Sequence, residues 1–156
     1  MGAVRASHPR FRRQGSTPRM VLTEDDIAIL KQVYRHRFVR ADDVYRLMER
    51  SSDRLSRRLT LLFRNDYLDR PMCQVDRYHE GGSRALVYGL GNAGARYLKE
   101  TAGVSIGATD WRSRNRTYTR ENLDHTLAIS RFLIDLEIAC RARSDLALIS
   151  FEDILA

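Results

Sequence analysis

Arginines are the residues of this chain best placed to do chemistry, and they bunch. Arg54, Arg57, Arg58 and Arg64, with Thr60 among them, share one short stretch, and Arg77, His79 and Arg84 share the next. A guanidinium is a planar fork that donates paired hydrogen bonds to a phosphate or to a guanine edge. Repeated along one surface, such donors suit a polyanion, because each neutralised phosphate adds affinity whatever the sequence. Covalent chemistry is poorly served by comparison. Asp124-His125 is the nearest approach to an acid–base pair, but adjacent helical residues point about 100° apart and do not face each other. His8, His36, His79 and His125 lack metal-ligand spacing, and Cys73 and Cys140 form no CxxC or Cys/His pattern. Glu152 and Asp153 have no visible partner. No catalytic residue, metal or cofactor is expected, nor is the chain expected to be an enzyme. Thiols so placed suit a reducing cytoplasm.

These arginines need a helix and a hairpin to position them. Leu55, Leu59, Leu62 and Phe63 recur at i, i+4, i+7 and i+8, which predicts a helix over about Asp53–Asn65 with one buried stripe. Arg57 and Arg64 then point nearly opposite that stripe, flanked by Arg54, Thr60 and Leu61, with Arg58 at the margin. Asp53 is the only acid in the helix. An outward Leu61 suits either a thymine methyl or a neighbouring helix. Ser51 or Ser52 is placed to cap this helix. Downstream, Glu80-Gly81-Gly82-Ser83 is a hairpin signal. The return strand, from Ala85 on, alternates and is expected to bury one face. Arg77, His79 and Arg84 would cluster near its tip.

Two shorter helices precede this pair. Thr23 is set to cap the first, with Asp26 completing a capping box, and Ile27, Leu30, Val33 and Tyr34 form its apolar face. Phe38-Val39 is an apolar link to a second helix over about Ala41–Glu49, with Ala41, Val44, Leu47 and Met48 inward. A fourth helix is expected from Gly91 to Lys99. A long one follows from about Tyr118 to Arg143, with an apolar band of Leu123, Leu127, Phe132, Leu133, Leu136, Ala139 and Cys140. Ala147–Phe151 reads as a final strand. The fold expected is mainly α with a small β-hairpin: a winged helix-turn-helix plus a long C-terminal helix.

Charge follows the same division. Of the formal +7 on 156 residues, residues 1–22 hold +5, 23–50 zero, 51–101 +3 and 102–156 −1. Only Lys31 and Lys99 are lysines, so the positions of the arginines inform more than their abundance. The expected organisation is a disordered basic leader (1–21), a winged-helix DNA-binding domain (22–101), a linker (102–115) anchored by Trp111, and a packing or dimerisation element (116–156). The leader is either a solubilising tail or a DNA-tracking arm. No apolar run is long enough for a membrane span.

The order of these pieces resembles the replication-relaxation family, winged-helix proteins of bacterial plasmids and mobile elements. The matching stretches are Leu22–Leu30, Arg37–Val44, Arg57-Arg58-Leu59 with Leu61-Leu62, Gly82–Leu98 and His125–Ile129. Two departures stand out. Arg40 sits where such proteins often place a helix-capping Ser or Thr, and the chain stops soon after Phe151, as expected of a short member or a piece of a longer one. The resemblance implies a role in plasmid replication, DNA relaxation or mobile-element gene regulation. The function expected is therefore non-catalytic binding of double-stranded DNA, by Arg54, Arg57, Arg58, Thr60 and Arg64 on the helix and Arg77, His79 and Arg84 on the wing. A homodimer through the 116–143 helix and a cytoplasmic, nucleoid- or plasmid-associated location go with it. The alternative is a protein-interaction adaptor on the same scaffold, its basic helix meeting an acidic partner.

Overall fold

The computed structural model describes residues 10–13, 17, 19–75, 84–107, 110–149 and 154. Among these, the elements run α1 (Glu24–His36), β1 (Phe38–Arg40), α2 (Ala41–Met48), α3 (Ser52–Arg64), β2 (Leu68–Asp69), β3 (Val87–Leu90), α4 (Asn92–Glu100), α5 (Trp111–Arg116) and α6 (Arg120–Arg141), with a 3-10 turn at Met72–Gln74. The architecture is mainly helical, with one small antiparallel sheet and a long C-terminal helix.

α1 starts as its sequence demands. The Asp26 amide donates to the Thr23 hydroxyl at 3.3 Å, and the Thr23 amide donates to the Asp26 carboxylate at 2.8 Å, closing the capping box. Its inward face is Ile29, Leu30 and Val33; Ile27 and Tyr34, expected inside, are only half-buried. α3 buries Leu55, Leu59, Leu62 and Phe63, the expected stripe, but neither serine caps it through its side chain. α2 begins at Arg40, which likewise supplies no side-chain cap.

Phe38-Val39 is more than a link. With Arg40 it forms β1, which pairs with β3 in the register Phe38↔Gly89, Val39↔Tyr88 and Arg40↔Val87. β2 pairs with the other edge of β3, Leu68 opposite Leu90, so the sheet order is β1-β3-β2. As the central strand, β3 buries all four of its residues, not one face as its alternation suggested. α1 and α5 both pack against it, so neither side faces water. The β2–β3 connection, including the expected Glu80–Ser83 turn, lies outside the described residues.

Close packing fixes α4 against this sheet. A Cβ at Gly94 would overlap the Tyr67 carbonyl oxygen, and one at Gly91 that of Asp66, so only glycine lets the backbones approach. The 102–115 segment is not a plain linker. It contains α5, started by Asp110 accepting from the Ser113 amide and anchored by buried Trp111 and Asn115. Asn115 donates to the Leu90 carbonyl at 3.0 Å and to Asp69 at 2.9 Å, and accepts from Arg37 at 2.7 Å. The Arg37 guanidinium lies 4.6, 4.9 and 5.0 Å from the ring centres of Phe38, Trp111 and Tyr118. Burial there lowers its pKa from the ordinary guanidinium value. This cluster ties the end of α1 to α5.

α6 then crosses β1 and α2. Leu123, Leu127, Ser130 and Ile134 face inward, and the Ser130 hydroxyl donates to the His36 carbonyl at 2.9 Å. The broad apolar band of this helix thus splits, and Ile129, Phe132, Leu133 and Leu136 are left on the outside. The final strand is not formed where it can be seen: Ala147–Ile149 have no regular structure, and residues 150 and 151 lie outside the described residues.

Candidate nucleic-acid interface

The fold separates the expected recognition residues into outward and inward groups. Arg57 is exposed and meets no carboxylate among the described residues. Arg54 is also exposed, with Asp25 3.6 Å away, a distance at which solvent screens most of the attraction. Arg64, in the last turn of α3, is half-buried and unpaired among the described residues. Thr60 is half-buried, and its hydroxyl accepts from Arg70 at 3.3 Å.

Arg58 is turned away from this surface. Its guanidinium grips both oxygens of Asp26, whose side chain is 0% exposed against 22% for Arg58, and donates to the Val21 carbonyl at 3.2 Å. The hydrogen bonds to Asp26 raise the Arg58 pKa above its ordinary value. Arg58, expected on the groove-facing side, is thus engaged within the fold. A buried carboxylate that also caps α1 requires a cation, and Arg58 at the margin of the stripe is in reach.

Arg77 and His79 lie outside the described residues. Arg84, at the base of the same connection, is exposed, and its carbonyl accepts from Arg10 at 3.4 Å. That contact brings in Arg10 of the basic leader. Within the leader expected to be disordered, residues 10–13 are described, and Arg10 and Arg13 contact the fold. The Arg13 guanidinium donates to the Phe63 and Leu68 carbonyls at 2.8 Å each and to Asp69 at 2.9 Å, meets Asp66 at 3.2 Å, and stacks 4.7 Å from the Phe63 ring centre. Such contacts pin Arg13 beside the end of α3.

Arg70 completes the connection. It is buried, with its guanidinium 4.3 Å from the Phe63 ring centre, and donates to the Tyr88 hydroxyl at 2.9 Å and the Arg10 carbonyl at 2.6 Å. Burial lowers its pKa from the usual guanidinium value and raises that of Tyr88. Arg70 thus holds Thr60 on α3 and Arg10 on the leader to one scaffold. The acid-free leader was the only sequence signal for Arg10 and Arg13; nothing local marked Arg70.

Residues considered for covalent chemistry stay apart. Asp124 accepts from Arg120 at 3.1 Å, and both Asp124 and His125 are exposed. Cys73 and Cys140 are free thiols, and burial raises the pKa of Cys73. Glu152 and Asp153 lie outside the described residues. Among the described residues, no three His, Cys, Asp or Glu side chains are grouped to hold a metal, and no helix is long and apolar enough to cross a membrane.

Fold and site together define a small helical protein that presents an arginine-bearing helix beside a short antiparallel sheet. The family model described as Replication-relaxation matches residues 30–152, and the chain belongs to that family. Membership supports a role connected with plasmid or mobile-element replication. No curated protein and no solved structure matches the chain.

Proposed function

We propose that the protein binds double-stranded DNA through a winged helix-turn-helix, without catalysis, in plasmid replication or in regulating genes of a mobile element. The observation that supports this most is the outer face of α3, where Arg54, Arg57 and Arg64 project and Asp53 is the only acid. The chain order α1-β1-α2-α3-β2-β3, with an antiparallel sheet behind α3, suits that reading. A helix so backed enters the major groove, and the β2–β3 connection follows the adjacent backbone. Arg57, the most outward, would reach base edges, while Arg54, Arg64 and Arg84 would neutralise phosphates. Arg77 and His79, on the connection itself, belong to the same phosphate-contacting group. The exposed apolar stripe on α6 supports a homodimer, and the proposed location is the cytoplasm, in association with plasmid or nucleoid.

The test is binding to random duplex at rising salt. A protein with several phosphate contacts loses affinity steeply, about 10³-fold or more between 50 and 200 mM salt where six or more contacts are made. Absence of binding at low salt would leave the adaptor reading in its place. On a selected target, Arg57→Ala should cost about 1–3 kcal/mol and relax the preference at one position. Unchanged affinity removes Arg57 from the reading surface.

A further inference from the structure

Between the base of the β2–β3 connection, β1 and the first turn of α6 lies a groove of about 280 Å³, bordered by Arg10, Arg40, Arg84 and Arg120 with Gln74 and Asp124. Its lining also includes the apolar side chains of Val87, Leu123 and Leu127. Among the described lining residues, the carboxylate of Asp124 is already engaged, accepting from Arg120 at 3.1 Å. Arg120 also donates to the Gln74 carbonyl at 3.1 Å, which fixes its fork at the groove. Neither Arg40 nor Arg84 meets a carboxylate among the described residues. Among the described residues, Arg40 and Arg84 thus bring positive charge that no carboxylate offsets, and an anion in the groove would balance it.

Arg40 adds a separate observation. It occupies the N-cap of α2 and makes no side-chain cap bond, where a Ser or Thr would stabilise the helix by about 1 kcal/mol. Arg40 lines the groove instead.

Hydrogen bonds also tie the groove to α3. Arg70 donates to Thr60 at 3.3 Å and to the Arg10 carbonyl at 2.6 Å, and Arg10 donates to the Arg84 carbonyl at 3.4 Å. We propose that the groove binds a phosphate, and that this phosphate belongs to the backbone of the duplex lying along α3 and the β2–β3 connection. The source of the phosphate rests on the DNA-binding reading; the anion site itself does not. Contacts here are to backbone oxygens and add affinity without sequence preference.

Arg40→Gln is the direct probe, with Arg84→Gln as a second variant should the first fail to fold. Both are measured on random duplex across salt, and beside them the thermal midpoint is followed with added inorganic phosphate. The expected result is a drop of about 0.9 in the log–log salt slope, alike for any duplex, with the midpoint in low salt unchanged. An unchanged DNA slope, together with a phosphate-induced rise in midpoint that Arg40→Gln abolishes, keeps the anion site and assigns it to a free phosphorylated ligand. An unchanged slope with no phosphate-dependent rise overturns the proposal, even where the wild type binds DNA. If the wild type binds no duplex, the phosphate arm decides alone, and only the DNA-binding reading has failed.

Discussion

At the scale of the residue, arginines of similar sequence context hold different jobs, and the partner decides which. Arg57 and Arg58 are neighbours on α3, yet one faces solvent and the other closes on a fully buried Asp26. Removing one member of a buried pair leaves the other charge stranded, so Arg58→Ala should lower stability by about 3 kcal/mol, measured by urea unfolding. Adding Asp26→Asn should recover part of that loss, because the stranded charge is gone. The salt slope for DNA should stay as in the wild type wherever the variant is folded; a reduced slope would return Arg58 to the DNA surface. The outward set was legible in the sequence because a helix fixes the directions of residues from their spacing alone. Arg58 was legible only as marginal, since its partner lies on another helix. The partners of Arg13 were not legible, because Asp66 and Asp69 reach it through the folded chain and no local spacing records that meeting.

At the scale of the element, what was readable is what repeats. α1, α3, α4 and α6 are long enough to show a helical period, and their spans follow from it, although α1 buries Ile29 where Ile27 was expected and the serine cap expected for α3 is not formed. β1 has three residues, too few to display a period of two, so it passed for an apolar link until β3 was there to pair with it. α5 is polar at most positions, and its inward residues are Trp111 and Asn115, the latter held by hydrogen bonds rather than by burial of apolar surface. The joint between β2 and α4 depends on a missing side chain. Gly94→Ala inserts a methyl group into the Tyr67 carbonyl, and because both partners are backbone, neither can turn aside. The expected cost is about 1–3 kcal/mol, read as a fall in thermal midpoint. Gly103→Ala provides the contrast: its φ of 68° is strained for alanine, but nothing lies within 4 Å of the added carbon. An equal loss of stability in both variants would make backbone conformation, not packing, the source of the effect.

At the scale of the whole molecule, the two sides of α6 pose different requirements. The inner side completes the core, whereas Phe132 is 66% exposed, Ile129 50%, and Leu133 and Leu136 remain uncovered beside them. A contiguous apolar stripe of this kind on a helix marks an interaction surface more often than an ordinary solvated face. Its order favours a second copy of the chain as the occupant. The exposed positions Ile129, Phe132, Leu133 and Leu136 are spaced evenly about Phe132-Leu133, so a two-fold axis at that centre sets Ile129 of one copy beside Leu136 of the other in an antiparallel pair. A two-fold contact requires that self-complementarity. A stable dimer buries about 800 Å² on each copy, more than four partly exposed side chains supply, so the association should be reversible and concentration-dependent. DNA with paired half-sites about 34–36 Å apart would then favour two bound copies. Sedimentation across a concentration series should therefore show a monomer passing to a dimer, and Phe132→Glu should hold the protein as a monomer with its thermal midpoint preserved at low concentration. The same variant should lose cooperative binding to a two-site duplex while keeping the wild-type salt slope on a single site. A wild-type monomer at high micromolar concentration would remove the dimer and leave the stripe for a different partner.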